Sequence, residues 1–160
     1  MQYSQLPDGL RTAVPADYDA IIQVVDRWWG RSMVSALPRL FLDHFHGTSL
    51  VAPAGPQAPA PDRGLSGFLV GFPSGSLPEQ AYIHFVGVSP QCRGDGLGRL
   101  LYQTFFEAAR DAGLRVVSAV TSPVNAPSIA FHRSMGFEVE GPVAGYNGPG
   151  NDLVTFHRQL

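Results

Sequence analysis

An α/β fold, one mixed and mostly antiparallel sheet of about seven strands with four helices packed on it, is what this 160-residue sequence predicts. Three observations predict it. Short runs rich in aromatic and β-branched residues alternate with amphipathic segments in the order β-α-α-β-β-β-α-β-α-β-β. That order mixes hairpins with crossovers, which implies a mixed sheet. The third observation is the glycine-rich turn "RGDGLG" (93–98), set between an apolar run and a long amphipathic segment. The length suits one domain over residues 1–160, with a doubly wound parallel sheet as the alternative architecture.

Taken in order, "LRTAV" (10–14) reads as a strand and "PADYDAIIQVVDRWW" (15–29) as a helix, with Pro15 early and Asp17 in the first turn. A shorter helix is expected in "SALPRLFLDHFH" (35–46), with Pro38 tolerated only in its first turn. "TSLVA" (48–52) reads as the next strand. The proline-rich stretch 53–64 removes backbone donors and predicts a mobile connection, the first place a protease should cut. "LSGFLVGF" (65–72) and "AYIHFVGV" (81–88), joined by "PSGSLPEQ", predict a central hairpin. From 98 to 112, Leu100, Leu101, Phe105, Ala108 and Ala109 form one helical face, stopped at Gly113. "RVVSAVT" (115–121) is a further strand, "APSIAFHRSMGF" (126–137) a helix closed by Gly136. The end is a strand, a Gly/Pro-rich loop and a last strand.

Composition excludes several function classes. A formal charge of −2, with eleven scattered basic residues that are all arginine, offers no field for nucleic acid. Cys92 is the lone cysteine, so no disulfide framework or cysteine-rich metal site is expected, and a reducing, cytoplasmic setting is. No secretory leader or membrane span is visible, so no membrane partner is expected. His44 and His46 are two apart and unsuited to share one metal, and no metal site is expected.

A strand running through a glycine turn into a helix presents unpaired N–H groups at the positive end of the helix dipole, which suits an anion. The alternative is a plain turn. Gly94, Gly96 and Gly98 do not keep the dinucleotide spacing, and no Gly-Lys-Ser/Thr of a P-loop follows. Arg93-x-x-Gly96-x-Gly98 instead resembles the pyrophosphate loop of the GNAT superfamily of acyl-CoA N-acyltransferases. "VGVSP" before it, and Asn125, Ser128, Phe131, Gly136 and Phe137 in "NAPSIAFHRSMGF", resemble that family's neighbouring motifs. The specific part of the likeness covers residues 82–137.

The resemblance implies a sheet splayed near Val88 and acetyl-CoA as cosubstrate. It implies that the amides of Arg93, Gly94, Asp95, Gly96, Leu97, Gly98 and Arg99 hold the pyrophosphate. The backbone of Val86, Gly87 and Val88 would pair with the pantetheine arm like an added strand, and Asn125 would touch it too. Asp95 should turn to solvent or cap the following helix. Cys92 suits a small filler better than an acyl-accepting nucleophile.

The reaction so implied is direct acetyl transfer to a primary amine of a small molecule or peptide. An attacking amine must be neutral, and a histidine of reference pKa ~6.5 suits the base. His84 resembles a histidine found at that place in arylalkylamine-type members, and Tyr82 shares its strand face. A hydrogen-bonded core histidine is the alternative. Where the family pattern has a tyrosine as general acid, this chain has His132. It would donate as imidazolium or as neutral N–H, or else leave the role to Tyr102 or Tyr146. Trp28 and Trp29 with Arg31 would form an aromatic wall for an acidic acceptor, or else a core pair and a solvated arginine. A catalytically idle acyl-CoA sensor and transfer of a longer acyl chain remain as other functions, and a homodimer is admitted.

Overall fold

The computed structural model describes residues 1–55 and 64–160. The expected proline-rich connection falls mainly on 56–63, outside the described residues. The sheet strands are β1 (Arg11–Thr12), β2 (Leu50–Pro53), β3 (Leu65–Pro73), β4 (Gln80–Val88), β5 (Val116–Thr121), β6 (Glu138–Val143) and β7 (Leu153–Gln159), in the order β1-β2-β3-β4-β5-β7-β6. Every described neighbouring pair is antiparallel except β4 with β5. The helices are α1 (Asp17–Trp29), α2 (Leu40–Phe45), α3 (Leu97–Asp111) and α4 (Ala126–Ser134).

The helices divide the core into two layers. On one face Ile21, Val24, Val25 and Trp28 of α1 and Leu42 of α2 pack on Val51, Phe68, Val70 and Phe85. On the other, Leu101, Phe105 and Ala109 of α3 pack on Leu69, Ile83, Val117 and Phe156. The period of about 3.6 in α1 and α3 is the cause, since it gathers these apolar side chains on one stripe.

Local chemistry sets the boundaries that differ from expectation. The first strand shortens to Arg11–Thr12, because Asp17 draws this segment into a cap. Its carboxylate accepts the Val14 amide at 2.8 Å and pairs with Arg11 at 2.6 Å. The second helix does not begin before Pro38. Residues Val34–Ala36 form a 3₁₀ turn, and Leu37 takes φ −126, ψ 73, as a residue before proline is pushed from helical geometry. The α-helix starts at Leu40, beyond the ring.

The β3–β4 hairpin contains a bulge that neither strand pattern reveals. Val70 pairs with Phe85 but Gly71 pairs with Ile83, so His84 is the extra residue. Ile83 faces the α3 layer, Phe85 the α1 layer, and Val86 returns to the α3 layer. Gly71 is required here: a Cβ would stand 2.5 Å from the Phe105 ring. Gly87 is equally confined, with a Cβ 2.6 Å from Phe68 and 2.9 Å from Trp29. Gly87→Ala is therefore expected to lower stability by about 2 kcal/mol through overpacking. The check is a lower urea midpoint at unchanged slope; an unmoved midpoint would show that this side of the sheet yields freely.

Candidate active site

Parallel pairing of β4 with β5 covers only Gln80↔Val116, Ala81↔Val117 and Tyr82↔Ser118. Beyond Tyr82 the two strands part, while β3 still pairs with β4 as far as Gly67↔Val88. The edge of β4 that faces the gap thus leaves the backbone of Val86, Gly87 and Val88 open to an extended ligand, as a sheet edge accepts an added strand. Val86, Thr121, Asn125, Tyr102 and His132 line the narrow part of the gap, a cavity of about 100 Å³. It opens to about 460 Å³ along Trp29, Val88, Gly98 and Phe131.

At its mouth lies the glycine turn. After the 3₁₀ turn Pro90–Cys92, Gly94 (φ +94) and Gly96 (φ +85) take left-handed conformations that other residues rarely adopt. Gly96 is the N-cap of α3 and makes no side-chain cap bond. The first helical bond runs from Leu100 to the Gly96 carbonyl, so the amides of Leu97, Gly98 and Arg99 have no partner inside the helix. These groups border a hollow of about 340 Å³ together with Arg93 and Phe131. Such an arrangement can hold an anion. Asp95 is exposed, the solvent-facing of its two expected placements. The Arg93 side chain turns inward, donating to the carbonyls of Trp28 (2.6 Å) and Val88 (3.2 Å). It ties the C-terminal end of α1 to the end of β4, a contact that a spacing of 65 residues conceals.

His84 sits in the bulge. Its Nε2–H donates to the Ala36 carbonyl at 2.9 Å, and its ring stacks on Phe41 at 3.8 Å. A carbonyl only accepts, so Nδ1 is left with the lone pair. Burial lowers the imidazole pKa, and the Ala36 carbonyl offsets this in part. His84 also lines the narrow cavity, at its α2 end. Tyr82 does not line either part of the gap. It packs on Phe72 at 5.7 Å, and burial, helped by Tyr146, raises its pKa to about 12.

His132 is buried, at 6% exposure, with its ring 3.9 Å from that of Phe156 and nearly parallel to it. Nδ1–H donates to the Ser128 carbonyl at 2.8 Å, so Nε2 accepts the Tyr102 hydroxyl at 3.0 Å. Burial lowers this imidazole to about 4, against a smaller upward pull from Ser128. Tyr102 is itself buried, which raises its phenol and keeps it protonated. Asn125 caps α4 by accepting the Ser128 amide (3.4 Å) and donates to Thr121 Oγ1 (3.0 Å), bracing the lip of the gap. Trp28 and Trp29 differ: the first is core against Phe68 and borders only the wider cavity, the second lines both cavities, and Arg31 is exposed. Tyr146, 48% exposed, lies on the β6–β7 loop.

The structure thus brings His84, His132, Val86, Val88 and Asn125 to one gap, with the glycine turn at its mouth. Trp29, expected in an acceptor wall, and Tyr102, expected as an alternative acid, also line it, and Thr121 and Ser128 are added. The single sequence signal for the bulge is Gly71 inside an apolar strand. Among the described residues, no group of three His, Cys, Asp or Glu side chains could hold a metal, and no helix is long and apolar enough to cross a membrane.

Comparison with known proteins agrees with this geometry. The sequence pattern of the Acetyltransferase (GNAT) family matches residues 19–137. An L-methionine sulfoximine/L-methionine sulfone acetyltransferase of Pseudomonas aeruginosa is 47% identical over 58 residues, 36% of this chain and 34% of that protein. A mycothiol acetyltransferase of Pseudarthrobacter chlorophenolicus is 35% identical over 63 residues, 39% of this chain and 20% of that protein. The chain thus spans about a third or less of these relatives. Among solved structures, a ribosomal-protein-alanine N-acetyltransferase from Brucella melitensis superposes with TM-score 0.70 at 24% identity, covering 94% of this chain and 99% of the other. A phosphinothricin acetyltransferase from Sinorhizobium meliloti, in complex with AcCoA, gives 0.69 at 22% identity, covering 94% and 87%.

Proposed function

This chain belongs to the Acetyltransferase (GNAT) family, and on that premise we propose that it moves an acetyl group from acetyl-CoA directly to a primary amine of a small molecule or peptide. The observation that carries the reading is the gap between β4 and β5 beyond Tyr82, which meets the unpaired amides at the start of α3. A pyrophosphate held there would lead an extended pantetheine arm into the gap along Val86, Gly87 and Val88. Names of similar proteins include both small molecules and ribosomal-protein alanine, so the acceptor is set here only as a primary amine.

Within this reading His84 is the base. Its Nδ1 lone pair takes the amine proton, directly or through water, and the Ala36 carbonyl holds the ring. A backbone N–H near Val86 to Val88 polarises the thioester carbonyl. Imidazolium is not the acid, because His132 is neutral far below pH 7. The Tyr102 hydroxyl instead stabilises the departing thiolate by turning its O–H from His132 Nε2 to the sulfur, and His132 holds that hydroxyl at the gap until then. One observation favours a second reading, an idle acyl-CoA sensor: both His132 nitrogens are already engaged within the protein.

Thiol release over a panel of amines, including L-methionine sulfoximine, phosphinothricin and an alanine-initiated peptide, separates the two. Turnover supports transfer; tight CoA binding with no turnover on any amine supports the sensor. Gly98→Ala tests the cofactor site. A Cβ at Gly98 meets nothing closer than 3.6 Å, and the residue has no positive φ, so the variant should fold normally. The methyl group would project where the ligand approaches, and the KM for acetyl-CoA should rise about tenfold, ~1.4 kcal/mol. Gly96→Val is the poorer test, since φ +85 strains any side chain regardless of ligand. An unchanged KM in Gly98→Ala would remove the loop from the cofactor site.

A further inference from the structure

A second cavity, of about 470 Å³, lies against the other side of α3 and is lined by Arg99, Gln103, Glu107, Arg110, Ser134 and Arg158. Its residues on α3 recur at helical spacing, so they form one wall. The opposite wall is the end of α4 with Arg158 of β7, which reaches under α3 with its guanidinium carbon 4.7 Å over the Phe106 ring. Gly136 makes the room, since a Cβ there would stand 2.5 Å from Arg158 Nη1.

Two features of this groove are unfavourable as they stand. Arg158 Nε is buried with no hydrogen-bond partner, an arrangement that folded proteins rarely leave without a reason. Burial, and then the charge of Arg110, depress the pKa of Arg158. Among the described residues none of Arg99, Arg110 and Arg158 forms an ion pair, and Glu107 is the only carboxylate among the lining residues. An anion between the guanidinium groups would relieve both. It would accept from Nε and screen the like charges, and guanidinium forks fit tetrahedral oxyanions in bidentate fashion.

We propose that this groove binds a phosphate monoester, with Arg158 and Arg110 as its inner donors and Arg99 at its mouth. The ribose 3′-phosphate of coenzyme A is one source, because Arg99 also borders the hollow at the glycine turn, so the groove and that hollow meet there. This source rests on the function proposed above. A separate phosphorylated molecule is the other source.

Binding of CoA and of 3′-dephospho-CoA to the whole chain at low salt, in wild type, Arg110→Gln and Arg158→Gln, tests the site. Wild type should prefer CoA at least tenfold. That preference should shrink severalfold in Arg110→Gln and vanish in Arg158→Gln, with dephospho-CoA affinity unchanged. Should CoA and dephospho-CoA bind alike, inorganic phosphate added to the dephospho-CoA complex decides. A rise in Tm in wild type, absent from both variants, supports the groove with a separate ligand. The proposal is overturned if there is neither a CoA preference nor a phosphate-dependent rise, or if either survives both substitutions. If neither CoA form binds, the function proposed above fails by itself, and the phosphate titration of the free protein judges the groove. Should Arg158→Gln not fold, Arg110→Gln, on the exposed side of α3, carries the test.

Discussion

His84→Phe is expected to lose about 10²-fold or more in kcat/KM while folding normally and keeping its KM for acetyl-CoA. The phenyl ring retains the stack on Phe41 but has no nitrogen to take a proton. The pH profile supplies the second readout. A base works only when neutral, so activity falls as pH drops through its pKa. Burial places that pKa below the usual 6.5. The acid limb of wild-type kcat/KM should therefore lie below pH 6.5, and His84→Phe should lack it. His84→Ala should be as inactive but less stable, since it gives up both the stack and the bond to Ala36. If His84→Phe turns over like wild type, the base is elsewhere and the bulge serves the fold alone.

His132 should make the fold less stable in acid. Folded, it takes a proton only near pH 4; unfolded, near 6.5. Between those values the unfolded chain binds more protons, so stability is lost as pH falls from 6.5 towards 4, by about 3 kcal/mol in all. Urea denaturation at pH 7 and pH 4.5 should show that fall in wild type and a clearly smaller one in His132→Phe. The absolute stability of the variant is a poorer guide, because it also leaves the buried Tyr102 hydroxyl without its acceptor. Catalysis gives the companion result. His132 is already neutral at pH 7, so kcat should show no decline near pH 6.5 to 7.5 that His132→Phe removes. Tyr102→Phe and His132→Phe should each lower kcat about tenfold or more with little change in KM for acetyl-CoA. A decline near neutral pH that disappears in His132→Tyr would restore imidazolium as the acid.

Much of the architecture is legible in the chain because its causes are local. Helical stripes in α1 and α3 and glycines at positive φ before α3 depend on near neighbours, so spacing alone exposes them. The order of elements then permits few sheets, and a mixed one with a single parallel step is among them. Element ends are less legible. Pro38 moves the start of α2 by a local rule, but the shortened β1 depends on Asp17 accepting from Val14 and Arg11, a choice between partners that periodicity does not rank.

By itself, then, the sequence determined the layered α/β order, the glycine turn at a helix start, and which residue types stand near it. Tertiary structure alone decided what those residues can do. Whether His84 or His132 keeps a free lone pair depends on carbonyls at Ala36 and Ser128 and on the Tyr102 hydroxyl. Whether Arg93 reaches a ligand or the end of α1 depends on Trp28, and whether Arg158 stands unpaired depends on Phe106, Gly136 and Arg110. Proton affinity and hydrogen-bond direction are set by burial and by partners a few ångströms away, and most of those partners lie tens of residues distant along the chain.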